Sequence, residues 1–125
     1  MEESILKSTK ETLGLAVDYT PFDLTIITHI NSALSDAQDL GVGPLGFSIE
    51  DDSANWADLQ LPKQIETKLR SYVYLKVRML FDPPSTSFLL DASRKQIEEF
   101  EGRMSIAREN IAFPPTPEPL VEEEV

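Results

Sequence analysis

Three observations predict an all-α fold for this chain: a four-helix bundle with one extra short helix, a short extended loop, and a disordered, acidic, proline-rich C-terminal tail. Apolar residues recur at spacings of three and four along separate stretches of the chain. Those stretches are bounded by residues that start and stop helices, Thr20-Pro21, Pro62 and Ser85-Thr86-Ser87 on one side, Gly14, Gly41-Val42-Gly43-Pro44 and Asp82-Pro83-Pro84 on the other. Only Phe47-Ser48-Ile49 alternates in the manner of an extended edge. A chain of 125 residues supplies one core and not two, and 41% hydrophobic with 26% charged residues is the balance of a folding chain.

The first helix is expected over residues 3–13, where Ile5, Leu6, Thr9 and Leu13 share a face and Gly14 stands at the C-terminal cap. Thr20 is placed to cap the second helix, Pro21 to sit in its first turn, and Asp23 to favour its exposed amides. Ile26, Ile30, Ala33, Ala37 and Leu40 then form its core stripe, widened by Ile27 and Leu34, until the two glycines and the proline of residues 41–44 stop it. Residues 45–61 read as a loop with little strand, in which 53–59 make a single helical turn planting Trp56 and Leu59 on the core.

Pro62 opens the third helix, whose broad face carries Ile65, Leu69, Tyr72, Val73, Val77 and Leu80, and Asp82-Pro83-Pro84 ends it. The hydroxyls of residues 85–87 cap the fourth helix, with Leu89, Ser93, Ile97, Phe100, Met104 and Ala107 as its stripe, reaching about Asn110. After that the composition changes: residues 113–125 hold four prolines and four glutamates, which cannot build a core. The expected organisation is a helical domain over residues 1–112 and a flexible arm over 113–125, either a docking arm or a solvated terminus.

Charge excludes several functions. With 22 acids against 11 bases the net charge is −11, which disfavours adhesion to a polyphosphate. Residues 11–62 carry nine acids and no Lys or Arg, whereas 63–81 hold Lys63, Lys68, Arg70, Lys76 and Arg78 against Glu66 alone. These opposed segments either neutralise each other within one fold or meet between neighbouring copies. No apolar run approaches the roughly 18 to 20 residues of a bilayer span, and the opening MEESILKSTKE lacks the order of a signal peptide, so neither membrane insertion nor secretion is expected.

Catalytic chemistry finds little to work with. There is no cysteine to form a disulfide, a thiolate nucleophile or a metal site, and one histidine cannot build a multi-histidine centre. His29, Ser32 and Asp36 are helical neighbours, which do not converge as a nucleophilic relay requires. Glu50-Asp51-Asp52 with Asp58 lacks the order of a calcium loop and reads as a solvated loop. Gly41-Val42-Gly43-Pro44-Leu45-Gly46 ends a helix instead of opening one, so phosphate cradling is unsupported. Tyr72, Tyr74, Lys76 and Arg78 fan out at about 100° steps and make no nucleic-acid platform, leaving Tyr72 and Trp56 as core anchors and Met79 and Met104 as gap fillers.

Four pieces resemble one family: Thr20-Pro21-Phe22-Asp23, His29-Ile30-Asn31-Ser32-Ala33, Leu40-Gly41-Val42-Gly43-Pro44, and the more specific run from Tyr72-Val73-Tyr74-Leu75-Lys76-Val77-Arg78 to Asp82-Pro83-Pro84. Over about residues 3–110 the chain resembles the tailed-phage head-tail connector, or adaptor, family. The resemblance implies a non-catalytic virion neck protein without cofactors, assembled in the host bacterial cytoplasm. It also implies a homo-oligomeric ring of about twelve subunits below the portal protein, carrying the DNA channel to the stopper and tail without gripping DNA. On that reading Lys68, Arg70, Lys76 and Arg78 are expected at the subunit interface, and Glu50, Asp51, Asp52 and Asp58 in the lumen or at the interface. Phe113, Leu120, Val121 and Val125 would be the apolar anchors of a portal-docking arm. The competing reading is a small helical scaffold or regulatory module binding another protein through the third helix or the P-x-x-P of residues 114–117.

Overall fold

A computed structural model describes the backbone of residues 3–112 and the side chains to Asn110. Four α-helices follow one another: α1 (Ile5–Thr12), α2 (Asp23–Asp39), α3 (Lys63–Phe81) and α4 (Ser87–Ala112), with a 3-10 turn at Trp56–Leu59. Among the described residues there is no strand, only an isolated antiparallel bridge between Ser4 and Asn55. The all-α expectation is met. The arm expected over 113–125 lies outside the described residues, and with it Phe113, Leu120, Val121 and Val125.

Helices α1 and α2 end in the same way. Beyond α1, Leu15 N–H donates to Lys10 O (3.0 Å) and Gly14 N–H to Glu11 O (3.0 Å); beyond α2, Val42 N–H donates to Ala37 O (2.9 Å) and Gly41 N–H to Gln38 O (2.9 Å). Both are Schellman closures, and they need a left-handed residue, which Gly14 (φ +80) and Gly41 (φ +85) supply without a Cβ penalty. At Gly41 a side chain has a second obstacle, because a Cβ there would lie 2.8 Å from Arg108 Cδ and Nε on α4.

The start of α2 differs from expectation. Thr20-Pro21-Phe22 make a turn in which Asp23 N–H donates to Thr20 O (3.0 Å), and the helix begins at Asp23 with Phe22 as an N-cap that makes no side-chain hydrogen bond. The cause lies outside the segment: Asp23 faces the buried ammonium of Lys10 (2.8 Å), which holds the carboxylate away from a capping role. At α4 the expected hydroxyl cap is present, with Leu89 N–H donating to Thr86 Oγ1 (3.2 Å).

Helix α3 is the spine. Its Ile65, Leu69, Tyr72, Val73 and Val77 pack against Ile26, Ile30, Ala33, Leu34 and Ala37 of α2 and Ile5 and Leu6 of α1 in one core. Trp56 closes the base of that core, edge-on to Tyr74 (5.9 Å) and donating its indole N–H to Ser8 Oγ on α1 (2.9 Å). The 3-10 turn therefore does what the spacing of Trp56 and Leu59 predicts. Helix α4 packs mainly on α3, burying Met104 completely and Ile97, Phe100 and Ala107 in part. Leu80 (53% exposed) and Leu89 (51%) depart from their expected core places, because α4 packs mainly on α3 and nothing described covers that end.

The segment after α2 forms no strand and is clamped by two side-chain amides instead. Asn31 exchanges two hydrogen bonds with the Ile49 backbone (2.8 and 3.0 Å), and Gln38 accepts from Gly46 N–H (3.1 Å) and donates to Phe47 O (3.0 Å). Each amide imitates a neighbouring strand, so the extended run satisfies its backbone groups without a sheet. That clamp sets Ile49 into the core and leaves the acidic residues after it at the surface.

Candidate functional site

The four basic residues singled out in α3 separate into two pairs. Arg70 is engaged inside the chain: it pairs with Glu3 ahead of α1 and with Glu66 one turn back (3.5 Å), and its guanidinium lies 5.4 Å from the centre of the Trp56 ring. Lys76 reaches α2, 2.7 Å from Asp36 Oδ2, and its ammonium lies 5.5 Å from the centre of the Tyr72 ring. Lys68 and Arg78 lie along α4. Lys68 lines a shallow groove with Gln64, Arg103 and Ile106, and Arg78, exposed, lines a groove with Tyr74, Leu75 and Phe100.

Glu50, Asp51, Asp52 and Asp58 are all exposed on the connection between α2 and α3, and three of them have local partners. Asp51 accepts hydrogen bonds from the Ser53 hydroxyl (2.6 Å) and the Ser53 N–H (2.9 Å), in that order the causes that hold its carboxyl below the usual range. Asp52 lies 3.6 Å from Lys7 on α1. Asp58 accepts from Asn55 N–H (2.8 Å) and completes a reciprocal cap on the 3-10 turn. These contacts are exposed and individually weak, so the loop keeps a negative surface.

Among the described residues His29, Ser32 and Asp36 make no hydrogen bond or ion pair with one another, and Asp36 is paired with Lys76 instead. Among the described residues no group of three or more His, Asp or Glu is placed to hold a metal ion, and no helix is long and apolar enough to cross a membrane.

Several residues that organise these surfaces were not singled out from sequence. Lys10 is buried on the apolar face of α1, where its ammonium donates to Val17 O (2.9 Å) and faces Asp23 Oδ1 off the line of a good hydrogen bond, so charge holds that pair. Its position four residues after Leu6 is the signal that places it on that face. Glu101 of α4 accepts from the hydroxyl of Tyr72, the core anchor expected from spacing (2.9 Å); burial first, then that hydrogen bond and the carboxylate charge, push the Tyr72 hydroxyl far above the ordinary phenol range. Asn31 and Gln38, seven residues apart on one face of α2, are the remaining pair.

Two grooves run along the α3–α4 hairpin with Lys68 and Arg78 in them, and an acidic loop stands exposed between α2 and α3. No curated protein and no solved structure matches the chain. The family model described as phage connector protein matches residues 5–111, which takes in the whole of α1, α2 and α3 and all but the last residue of α4. The chain belongs to the phage connector protein family.

Proposed function

We propose that this protein is a head-tail connector: a non-catalytic structural subunit that forms a ring of about twelve copies under the portal, extends the DNA channel and links the filled head to the stopper and tail. The observation that carries this is the family match across all four helices. The charge supports it, since a net of −11 disfavours adhesion to phosphates and lets a genome pass without sticking. The neck of the virion is then its place, with assembly in the host bacterial cytoplasm.

In this reading Glu50, Asp51, Asp52 and Asp58 face the channel or the adjacent copy. Lys68 and Arg78 serve the subunit flank, while Arg70 and Lys76 contribute to it through the helices they hold in place. Residues 1–112 act as the ring-forming domain and 113–125 as an arm whose Phe113, Leu120, Val121 and Val125 dock on the portal. Electron microscopy of portal-bearing heads mixed with the purified protein tests the proposal. An added collar is expected, and chains cut after residue 112 should stay folded and add it less efficiently. Heads that gain no collar under assembly conditions would reject the connector role.

A further inference from the structure

The last turns of α4 and the first turns of α3 enclose an open groove of about 270 Å³. Ile106, 59% exposed, and Ala107 are its apolar part, and Lys68 of α3 and Arg103 of α4 are its cations. Among the described residues Lys68 forms no ion pair, and Arg103 has only Glu99 at 3.7 Å, an exposed pair that contributes little. Two under-used cations beside an uncovered isoleucine suit an acidic segment that also carries apolar side chains.

The chain carries such a segment within reach. Residues 113–125 hold Glu118, Glu122, Glu123 and Glu124 together with Leu120 and Val121, and no Lys or Arg. They follow Ala112, two residues beyond Asn110 of the groove's lining. At ~3.1 Å per extended residue, up to ~31 Å of chain separates Glu122 from Ala112, whereas Arg103 lies only ~14 Å back along α4. About half of that length is left over for the reversal. Attachment beside the groove also gives the segment an effective concentration in the millimolar range there, far above that of a second copy in dilute solution. The other acidic run, Glu50-Asp51-Asp52, is engaged within its own loop and with Lys7. The groove walled by Tyr74 and Phe100 is farther from Ala112 and has Arg78 as its one cation.

We infer that in the isolated subunit residues 118–125 fold back onto the Lys68–Arg103–Ile106 groove of the same chain, with the glutamates against the two cations and Leu120 and Val121 over Ile106. The contact is a property of the single chain and does not rest on the connector role. Joined to that role it becomes a control on assembly: groove and portal use the same arm, so the portal has to displace it from the groove before docking.

The chain has no cysteine, so Val125→Cys carries a single nitroxide label on the full-length protein. Amide signals of the isotope-labelled chain are compared with the nitroxide oxidised and reduced, in dilute solution at low salt. A contact with a millimolar dissociation constant is populated to about one half at a millimolar effective concentration. The amides of residues 64–68 on α3, remote from the arm in sequence, should therefore lose at least about half of their intensity. Replacing Glu118, Glu122, Glu123 and Glu124 by Gln, outside the helical domain, should restore them, and so should Lys68→Glu with Arg103→Glu. Spin-labelled chains mixed with isotope-labelled chains that lack the nitroxide should show no loss. Equal loss in that mixture would assign the arm to a second copy, and loss centred on residues 71–78 would place it in the other groove. No loss at residues 64–68, or loss that survives the Glu→Gln exchange, would remove the contact altogether. Each of these results overturns the inference, while the collar experiment on portal-bearing heads judges the connector role separately.

Discussion

Replacing Lys10 with methionine keeps the length of the side chain, removes its charge and tests whether a buried ion pair holds α1 to the start of α2. The Lys10 side chain is 2% exposed and Asp23 27%, with the ammonium 2.8 Å from Asp23 Oδ1 and 2.9 Å from Val17 O. Removing one partner of a fully buried pair costs about 3–5 kcal/mol, because the other charge is left without compensation. Asp23 keeps a path to water, which lowers the penalty, and the lost hydrogen bond to Val17 restores about 1 kcal/mol of it. The expected net cost is about 2 kcal/mol, or roughly 8 °C in the thermal midpoint for a domain of this size. Urea unfolding of Lys10→Met, Asp23→Ala and the double variant measures it, and the double variant should be less damaged than the sum of the singles by about 1–3 kcal/mol. A single-variant cost within about 0.5 kcal/mol of zero, or strict additivity, would refute the assignment of this pair as the tie between the two helices.

Two further changes probe the α3–α4 and α2–α4 contacts. Tyr72→Phe removes the hydrogen bond to Glu101 and should cost about 1 kcal/mol at neutral pH by urea unfolding. The Tyr72 hydroxyl is raised in the folded state, so its contribution is whole below the unfolded value of about 10 and is lost as pH rises beyond it; Tyr72→Phe should flatten the fall in stability above pH 10. Gly41→Ala forces a side chain onto φ +85 and against Arg108, for a loss of about 1–2 kcal/mol in chemical denaturation. An Arg108→Ala background should return only the steric part, since the backbone conformation remains left-handed.

Much of the fold is legible in the residues. The three-and-four spacing locates the buried faces of α2 and α3, Gly14 and Gly41 mark helix ends by the only backbone conformation their Schellman closures accept, and Asp82-Pro83-Pro84 stops α3. Trp56 and Leu59 reach the core from a turn that their spacing alone suggests. Less of the surface is legible. Leu80 and Leu89 belong to apolar stripes by spacing, yet a stripe is buried only if another element lies over it, and nothing described lies over that end of α3 and α4. Thr20 has the chemistry of a cap, but the carboxylate that would assist it is drawn to Lys10 from an earlier helix.

The local physics of backbone and side chain determined which segments are helical, which face of each is apolar, where each ends, and the net charge of −11, which disfavours adhesion to a polyphosphate. The tertiary structure decided which charges remain available. Arg70 meets Glu3 and Lys76 meets Asp36 across long separations in the chain, while Lys68 and Arg78 are left facing grooves. It likewise decided which apolar residues are left without cover, most of them at the end of the bundle where α3 passes into α4. Spacing along a helix records only neighbours within a turn or two, whereas an ion pair or a covered apolar face depends on how distant helices cross, and that geometry is set by the packing of the whole core.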